Sequence, residues 1–276
     1  MTHPTRLLRS IALAVALAAT VAACSDDDGE DVGTDDPSTT ATAGADVELV
    51  DEGTLTVCSD TPYEPFEFEG PDGEQTGYDI DILRAIAEDN DLDLEVLDLP
   101  FDGILGTLAA GECDVVGSAV TITEERAEQV DFSDPYFDAD QSLLIRAEDE
   151  GAYASLDDLG GQRIAVQAGT TGEAYANENA PDGAEVVAFE DSDALFLAIS
   201  SNDVAAVLQD FPVNAYRATQ DPTLAVTETF PTGEQYGYAV EKDNDSLLSF
   251  INDGLAALRD DGRFDTIFAQ YFGEAD

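Results

Sequence analysis

The chain has 276 residues, of which 43% are hydrophobic and 61 are acidic against ten lysines and arginines. This apolar content is enough for a hydrophobic core, so the sequence predicts a globular protein rather than a disordered one. The length predicts two structural units. The formal net charge of −51 excludes a nucleic-acid-binding surface, because contacts with phosphates need clustered lysines and arginines.

The N-terminal segment predicts export from the cytoplasm. Arg6 and Arg9 precede an apolar run at 11–23, which is shorter than the ~20 residues of a comfortable membrane span and has the order of a signal peptide, residues 1–23. The run ends in Val-Ala-Ala-Cys, which resembles a bacterial lipobox and predicts a lipid on Cys24 as the membrane anchor. An ordinary cleavable signal before an incidental cysteine is the alternative.

The cleaved chain would be even more acidic. Cleavage before Cys24 removes His3, the only histidine, and leaves eight basic against 61 acidic residues, a net charge of −53. Without an imidazole, mechanisms that use histidine as a base or metal ligand are excluded. Residues 24–46 are predicted to be the lipidated cysteine and a flexible acidic tether, because they are small, polar and acidic with no hydrophobic period. The alternative, a calcium loop, lacks the required glycine and glutamate spacing. The charge also predicts stabilisation by salt and a saline, halophilic habitat.

From residue 54 onwards, short strands alternate with amphipathic helices. Such units build parallel sheets with ligand sites outside the carboxyl ends of the strands. One unit is followed by a second and by a closing segment, which predicts two lobes joined by crossover strands. The predicted strands are 55–58, 92–96, 114–118, 163–167, 185–189, 205–209 and 236–240, and the predicted helices are 79–87 with Asp79 as N-cap, 101–109, 124–130, 173–179, 193–200, 212–219, 247–258 and 264–272.

Two further cysteines, Cys58 and Cys113, lie in or beside predicted strands. In the predicted register they lie at opposite ends of adjacent strands, about 13 Å apart by strand rise, which is too far for a disulfide bond. They are therefore predicted to be free thiols that fill the core.

Seven segments together resemble the amino-acid-binding members of the family 3 extracellular solute-binding proteins of ABC importers. The resemblance covers about residues 50–273. It implies an α/β type II periplasmic-binding-protein fold, with lobe I at 47–138 plus 235–276, lobe II at 143–234, two crossover strands and a ligand cleft between the lobes. The segments are LTVCSDTPYEPFEF at 55–68, GYDIDI at 77–82, FDGI at 101–104, TITEER at 121–126, VDFSDPY at 130–136, VQAGTTG at 166–172 and DDGRF at 260–264.

The resemblance also implies a site for the common part of a free amino acid. Arg126 would clamp the α-carboxylate with its planar fork, unless it forms an ordinary surface ion pair. Thr121 would assist, and so would Thr170 and Thr171, whose alternative role is to cap a helix. Asp210 would pair with the ammonium group.

Further residues would set the preference for a side chain. Tyr63 and Phe101 match aromatic walls around the ligand, although either could be an ordinary core residue. Asp60 and Gln167 match positions that touch the far end of the ligand. Ala119 stands where the family often has Gly or Ser, and would contribute mainly a backbone carbonyl.

These features predict a monomeric binding protein, not an enzyme, with no cofactor and no metal. It would bind a polar amino acid, glutamine-like or basic, outside the cell and deliver it to the permease and ATPase of an ABC importer. An acidic ligand side chain would face Asp60 without a cation to pair with. The alternatives are a dehydratase of the same fold and an extracellular sensor, which is disfavoured because no membrane helix or kinase segment precedes Asp276.

Overall fold

The protein is described by a computed structural model, which covers residues 47–273. The predicted signal peptide at 1–23, the lipidation site Cys24 and the rest of the tether lie outside the described residues. Between residues 47 and 273, no helix combines the length and apolar character needed to cross a membrane.

Helices and strands alternate along the described chain; the predicted elements lie close to observed ones, but strands at 130–132, 141–146 and 224–230 were not predicted. The helices are α1 Tyr78–Asp89, α2 Ile104–Ala109, α3 Glu124–Ala127, α4 Thr171–Asn179, α5 Ser192–Ser200, α6 Phe211–Gln220, α7 Asp245–Asp261 and α8 Arg263–Phe272. The strands are β1 Thr54–Ser59, β2 Phe68–Glu69, β3 Gln75–Thr76, β4 Asp93–Asp98, β5 Val115–Val116, β6 Val130–Phe132, β7 Phe137–Asp138, β8 Gln141–Arg146, β9 Arg163–Gln167, β10 Glu185–Phe189, β11 Ala206–Asp210, β12 Leu224–Phe230, β13 Gln235–Tyr236 and β14 Ala239–Glu241.

Two five-stranded mixed sheets form the framework of two lobes. The first has the order β4-β1-β5-β14-β6 and the second the order β10-β9-β11-β8-β12. In the first sheet β1 is parallel to β4 and β5, and β14 is antiparallel to its neighbours. In the second sheet β9 is parallel to β10 and β11, and β8 is antiparallel to its neighbours. The predicted two-lobe α/β fold is confirmed.

Two segments connect the sheets. The chain leaves the first sheet between β7 and β8 and returns between β12 and β13. β7 and β13 pair with each other in antiparallel fashion, with Gln235 opposite Asp138 and Tyr236 opposite Phe137. We call these paired connections the crossover segments, residues 137–141 and 231–236. They lie at the place where any change in the angle between the sheets must be absorbed.

Helix α1 begins earlier than predicted, directly after Gly77. This residue has a φ of 125°, and a Cβ atom there would meet the carbonyl oxygen of Phe66 at 2.1 Å, so the turn requires glycine. The prediction that Asp79 is the N-cap was wrong. Its carboxylate is fully buried and accepts hydrogen bonds from the Ala119 backbone N–H at 2.8 Å and the Tyr136 hydroxyl at 2.5 Å. The Asp79 side chain therefore bonds to two donors in the core and not to the N–H groups at the start of the helix.

Cys58 and Cys113 form a disulfide bond, with 5.8 Å between their Cα atoms. The prediction of free thiols was wrong because β5 has only two residues, so Cys113 precedes the strand instead of continuing it. The turn after α2 brings Cys113 over the sheet, where both cysteines are buried in one apolar cluster with Ile104 and Leu108. The bond therefore joins β1 to the segment between α2 and β5.

Candidate functional site

A pocket lies at the carboxyl ends of the parallel strands of both sheets. Residues that follow β1, β4 and β5 meet there with residues that end or follow β9 and β11, because parallel strands bring their carboxyl ends to the same edge. The pocket brings together all ten residues that the sequence singled out. These are Asp60, Tyr63, Phe101, Ala119, Thr121, Arg126, Gln167, Thr170, Thr171 and Asp210, and the pocket is also lined by Glu67 and Ser118.

Arg126 is held across the cleft by contacts with both lobes. Its backbone N–H donates to the Thr123 hydroxyl, which caps the N-terminus of α3. Its guanidinium donates to the carbonyl oxygens of Thr121 at 2.8 Å and Gly169 at 3.1 Å. The group also lies 5.2 Å from the centre of the Phe101 ring. No acidic side chain forms an ion pair with it among the described residues, so its charge is available to an anion.

Asp210 places a buried carboxylate in the same pocket. It accepts hydrogen bonds from the Tyr63 hydroxyl at 3.0 Å, the Tyr236 hydroxyl and the Gln141 amide. Burial raises the pKa of Asp210, whereas these hydrogen bonds and the positive charge of Arg126 act against the increase. Donors that favour the ionised form keep the carboxylate able to bind an ammonium group.

Helix α4 points its N-terminus at the pocket. The Thr170 hydroxyl accepts a hydrogen bond from the Glu173 N–H at 3.1 Å, so Thr170 caps this helix, as its alternative role predicted. The Thr171 hydroxyl lies 3.4 Å from the Thr121 hydroxyl of the other lobe. The first turn of a helix has free N–H groups and the positive end of the helix dipole, which together favour an anion.

The opposite end of the pocket is acidic. The Asp60 carboxylate accepts a hydrogen bond of 2.5 Å from the Gln167 amide, which joins the two lobes. The Asp60 backbone N–H donates to the Ser118 hydroxyl, which in turn donates to Glu67 at 2.8 Å. The second carboxylate oxygen of Glu67 is buried and has no hydrogen-bond partner within residues 47–273. This end of the pocket is therefore rich in acceptors.

The acids at this end hold protons more firmly than acids in water. Burial raises the pKa of Asp60 to about 7, with further increases from the charges of Asp98 and Asp191 and a decrease from the Gln167 hydrogen bond. Burial, followed by the charge of nearby Asp79, raises the pKa of Glu67 well above its ordinary value. A cationic group in the pocket would reverse these increases by favouring the ionised forms.

Ala119 has a backbone conformation that glycine adopts more easily. Its φ is 46°, in the left-handed region, where a side chain costs roughly 1–2 kcal/mol. The hydrogen bond from its N–H to Asp79 holds this conformation. The conformation explains why glycine would suit this position, and it fixes the chain between β5 and Thr121.

The segment from β1 to the C-terminal helix matches a known family. Residues 55–274 match the bacterial extracellular solute-binding proteins, family 3. The chain belongs to this family.

Relatives of this solute-binding protein agree with the assignment. It is similar to the L-cystine-binding protein TcyJ of Escherichia coli K12, with 31% identity over 225 residues that cover 81% of this chain and 84% of TcyJ. A mutant of ArgBP from T. maritima has a TM-score of 0.76 and 36% identity, covering 80% of this chain and 96% of that one. An ancestral arginine-binding protein bound to glutamine has a TM-score of 0.76 and 39% identity, covering 80% and 99%.

The solute-binding protein also has pocket residues that the sequence analysis missed. Glu67 and Ser118 line the pocket, and Gln141, Glu234 and Tyr236 form hydrogen bonds with residues that line it. Glu67 lies between two phenylalanines in a segment that resembles the family, and an acid in such an apolar setting could have been recognised as buried. Nothing in the sequence indicates that side chains of the crossover segments reach the pocket.

Proposed function

We propose that this solute-binding protein binds a free polar amino acid outside the cell and delivers it to the permease and ATPase of an ABC importer. The observation that carries the proposal is the presence, in one pocket, of the half-buried cation Arg126 and the buried anion Asp210. A free amino acid has a carboxylate and an ammonium group on one carbon, and each needs a partner when it leaves water. The pocket provides both, together with the N-terminus of α4.

The acidic end of the pocket supports a ligand whose side chain donates hydrogen bonds. Tyr63 and Phe101 provide apolar walls, and Asp60, Glu67 and Gln167 provide acceptors beyond them. A guanidinium has five N–H donors and a positive charge, which suit two neighbouring carboxyl groups. Arginine is therefore our first choice and glutamine our second, and a glutamate side chain would be buried without a cation.

The ranking of ligands tests the proposal. Isothermal titration calorimetry across the amino acids is expected to show arginine or glutamine binding at least about 100-fold more tightly than glutamate, because burying an unpaired charge costs several kcal/mol. Asp60→Asn should reduce the preference for arginine over glutamine. Asp93→Asn removes the same charge from an exposed residue at the start of β4, outside the pocket, and should leave the preference unchanged. Glutamate as the tightest ligand would contradict the assignment of the side-chain subsite.

The pH dependence of arginine binding gives a second test. Asp60, with a pKa of about 7, must lose its proton to pair with a guanidinium, so binding lowers its pKa. Affinity should therefore rise with pH, by up to about tenfold per unit below pH 7, and level off above it. Calorimetry in buffers of different ionisation enthalpy should detect the released proton, and Asp60→Asn should reduce the release. Affinity that is constant from pH 5 to pH 8 would show that Asp60 does not pair with the ligand.

Other parts of the proposal concern location and organisation. The Cys58–Cys113 disulfide supports an extracytoplasmic location, because such bonds persist in oxidising compartments. Lipidation at Cys24, lobe boundaries at 47–138 plus 235–276 and at 143–234, a monomeric state and a saline habitat stay predictions. The proposed role is binding without a catalytic step, and the dehydratase stays the alternative.

A further inference from the structure

The two crossover segments carry a pair of side chains that contact residues lining the pocket. Gln141 is the first residue of β8, and Glu234 directly precedes β13. The Gln141 amide donates a hydrogen bond of 2.9 Å to the Glu234 carboxylate, so the two crossover segments are joined by this bond on the side of the pocket. Gln141 is fully buried.

The same pair contacts residues that are proposed to bind the ligand. The Gln141 amide donates to the Asp210 carboxylate and also lies 3.2 Å from the Thr171 hydroxyl. The Thr171 hydroxyl donates to the Glu234 carboxylate at 3.1 Å. Asp210 stands at the ammonium end of the proposed ligand and Thr171 at the carboxylate end. A continuous set of hydrogen bonds therefore links both ends of the ligand subsite to the crossover segments.

The donors and acceptors in this set are unequal in number. The two N–H groups of the Gln141 amide face three acceptors, on Asp210, Thr171 and Glu234. An ammonium group brings new donors to Asp210, which frees an N–H of Gln141 for the other two acceptors. Contacts between the crossover segments should then tighten as the ligand binds. Burial raises the pKa of Glu234, and hydrogen bonds from Gln141 and Thr171 oppose the increase.

We propose that the Gln141–Glu234 hydrogen bond is the contact through which the bound ligand sets the angle between the two lobes. Both are positioning residues, because they act through Asp210 and Thr171 rather than by touching the ligand. The inference rests on the function proposed above and adds to it a link between the ligand and the crossover segments, which act as the hinge between the lobes.

The chain contains a matched control for this contact. The Gln235 amide donates a hydrogen bond of 2.7 Å to the Asp138 carboxylate. This bond has the same chemistry and joins the same two crossover segments, but it is exposed, and neither side chain forms a hydrogen bond with a residue that lines the pocket. Gln235→Met should therefore remove a hinge hydrogen bond without affecting the ligand subsite.

The experiment compares Glu234→Met, Glu234→Gln and Gln235→Met. Fluorescence energy transfer between dyes on E95C and E178C, exposed sites in different lobes, reports the distance between lobes with and without L-arginine or L-glutamine. E234M should weaken binding about 10- to 100-fold, the effect of losing hydrogen bonds to a charged group. The loss should appear mainly as faster dissociation in stopped-flow experiments, with a wider distribution of distances in the bound state.

The control variants separate positioning from a general effect on folding. E234Q keeps an acceptor and should restore affinity to within about threefold, and Q235M should stay within about twofold, as surface changes usually do. Gln141→Met removes the same contact from the other segment, together with the hydrogen bonds to Asp210 and Thr171, and should weaken binding at least as much as E234M, which covers the case in which E234M does not fold. Equal losses for E234M and Q235M, or no loss for E234M, would overturn the proposal.

The distances between the lobes in the ligand-free protein test this inference independently of the proposed function. If the wild-type protein bound no amino acid, the proposed function would fail. The hinge contact would still predict that E234M, and not Q235M, broadens the ligand-free distribution. An unchanged ligand-free distribution in that case would overturn the hinge proposal as well.

Discussion

Replacing Arg126 with alanine is expected to abolish amino-acid binding while the protein stays folded. The Arg126 side chain is half-buried, and its guanidinium is bonded to carbonyl groups of both lobes and stacked on Phe101. Without it, the α-carboxylate would enter the pocket with no cation to pair with. Removing one partner of a buried charge pair costs about 3–5 kcal/mol, which corresponds to roughly 10²- to 10³-fold or more in affinity. Calorimetry measures the loss, and circular dichroism confirms the fold.

Two variants show whether this loss of affinity is specific to the planar, bidentate guanidinium of Arg126. Arg126→Lys keeps the positive charge but cannot form the bidentate contact, so an intermediate affinity is expected. Arg163→Ala removes an exposed arginine whose ion pair with Glu185 spans 3.7 Å, and it should bind as the wild type does. If Arg126→Ala bound within tenfold of the wild type, the carboxylate clamp would have to lie elsewhere in the chain.

Removal of the Cys58–Cys113 disulfide is expected to lower the free energy of unfolding by about 2–5 kcal/mol. The bond closes a loop between residues 55 positions apart, and the unfolded chain gains conformational freedom when this loop opens. At about 2–4 °C per kcal/mol for a chain of this size, the melting temperature should fall by roughly 5–20 °C. Thermal unfolding with and without a thiol reductant measures the effect.

A cysteine-free variant controls for other effects of the reductant. Cys58→Ala/Cys113→Ala should melt at the temperature of the reduced wild type and should not respond to reductant. Phe101 packs against the apolar cluster that contains the disulfide. Loss of the disulfide is therefore also expected to lower ligand affinity, by less than Arg126→Ala does. A wild-type melting temperature that reductant leaves unchanged would contradict the stabilising role of the bond.

The helices and the parallel strands could be predicted from the sequence, whereas the antiparallel strands β8 and β12 and most of the very short strands could not. The bounds of β9 and β10 agree with the prediction, because both strands are apolar runs between turn residues. The two-residue strands β2, β3 and β7 were not predicted, since two residues contain no period, and the predicted strand 236–240 is divided between β13 and β14. The error about the disulfide has the same origin, because the length of β5 determines where Cys113 lies.

The site was predicted through family motifs and not from periodicity. Eight of the ten residues belong to short segments that resemble the family, Ala119 and Asp210 directly follow predicted strands, and the parallel strands bring all ten to one edge. Glu234 and Gln141 were missed because their contacts depend on the path of the crossover segments, which no local pattern encodes. Asp79 was assigned to a helix end because an N-cap is a local feature, whereas its donors, Ala119 and Tyr136, lie 40 and 57 residues away.

The position of β14 also constrains the order in which the protein can fold. β14 lies between β5 and β6 and pairs with both, although it follows the whole second sheet in the chain. Strands β8 to β12 are contiguous in the chain and can pair as soon as residue 230 has emerged from an export channel. The first sheet must wait for Ala239–Glu241 and close a long loop, which slows folding. The segment that bears Arg126, between β5 and β6, is therefore fixed last, and the newly exported protein can bind a ligand only when its chain is almost complete.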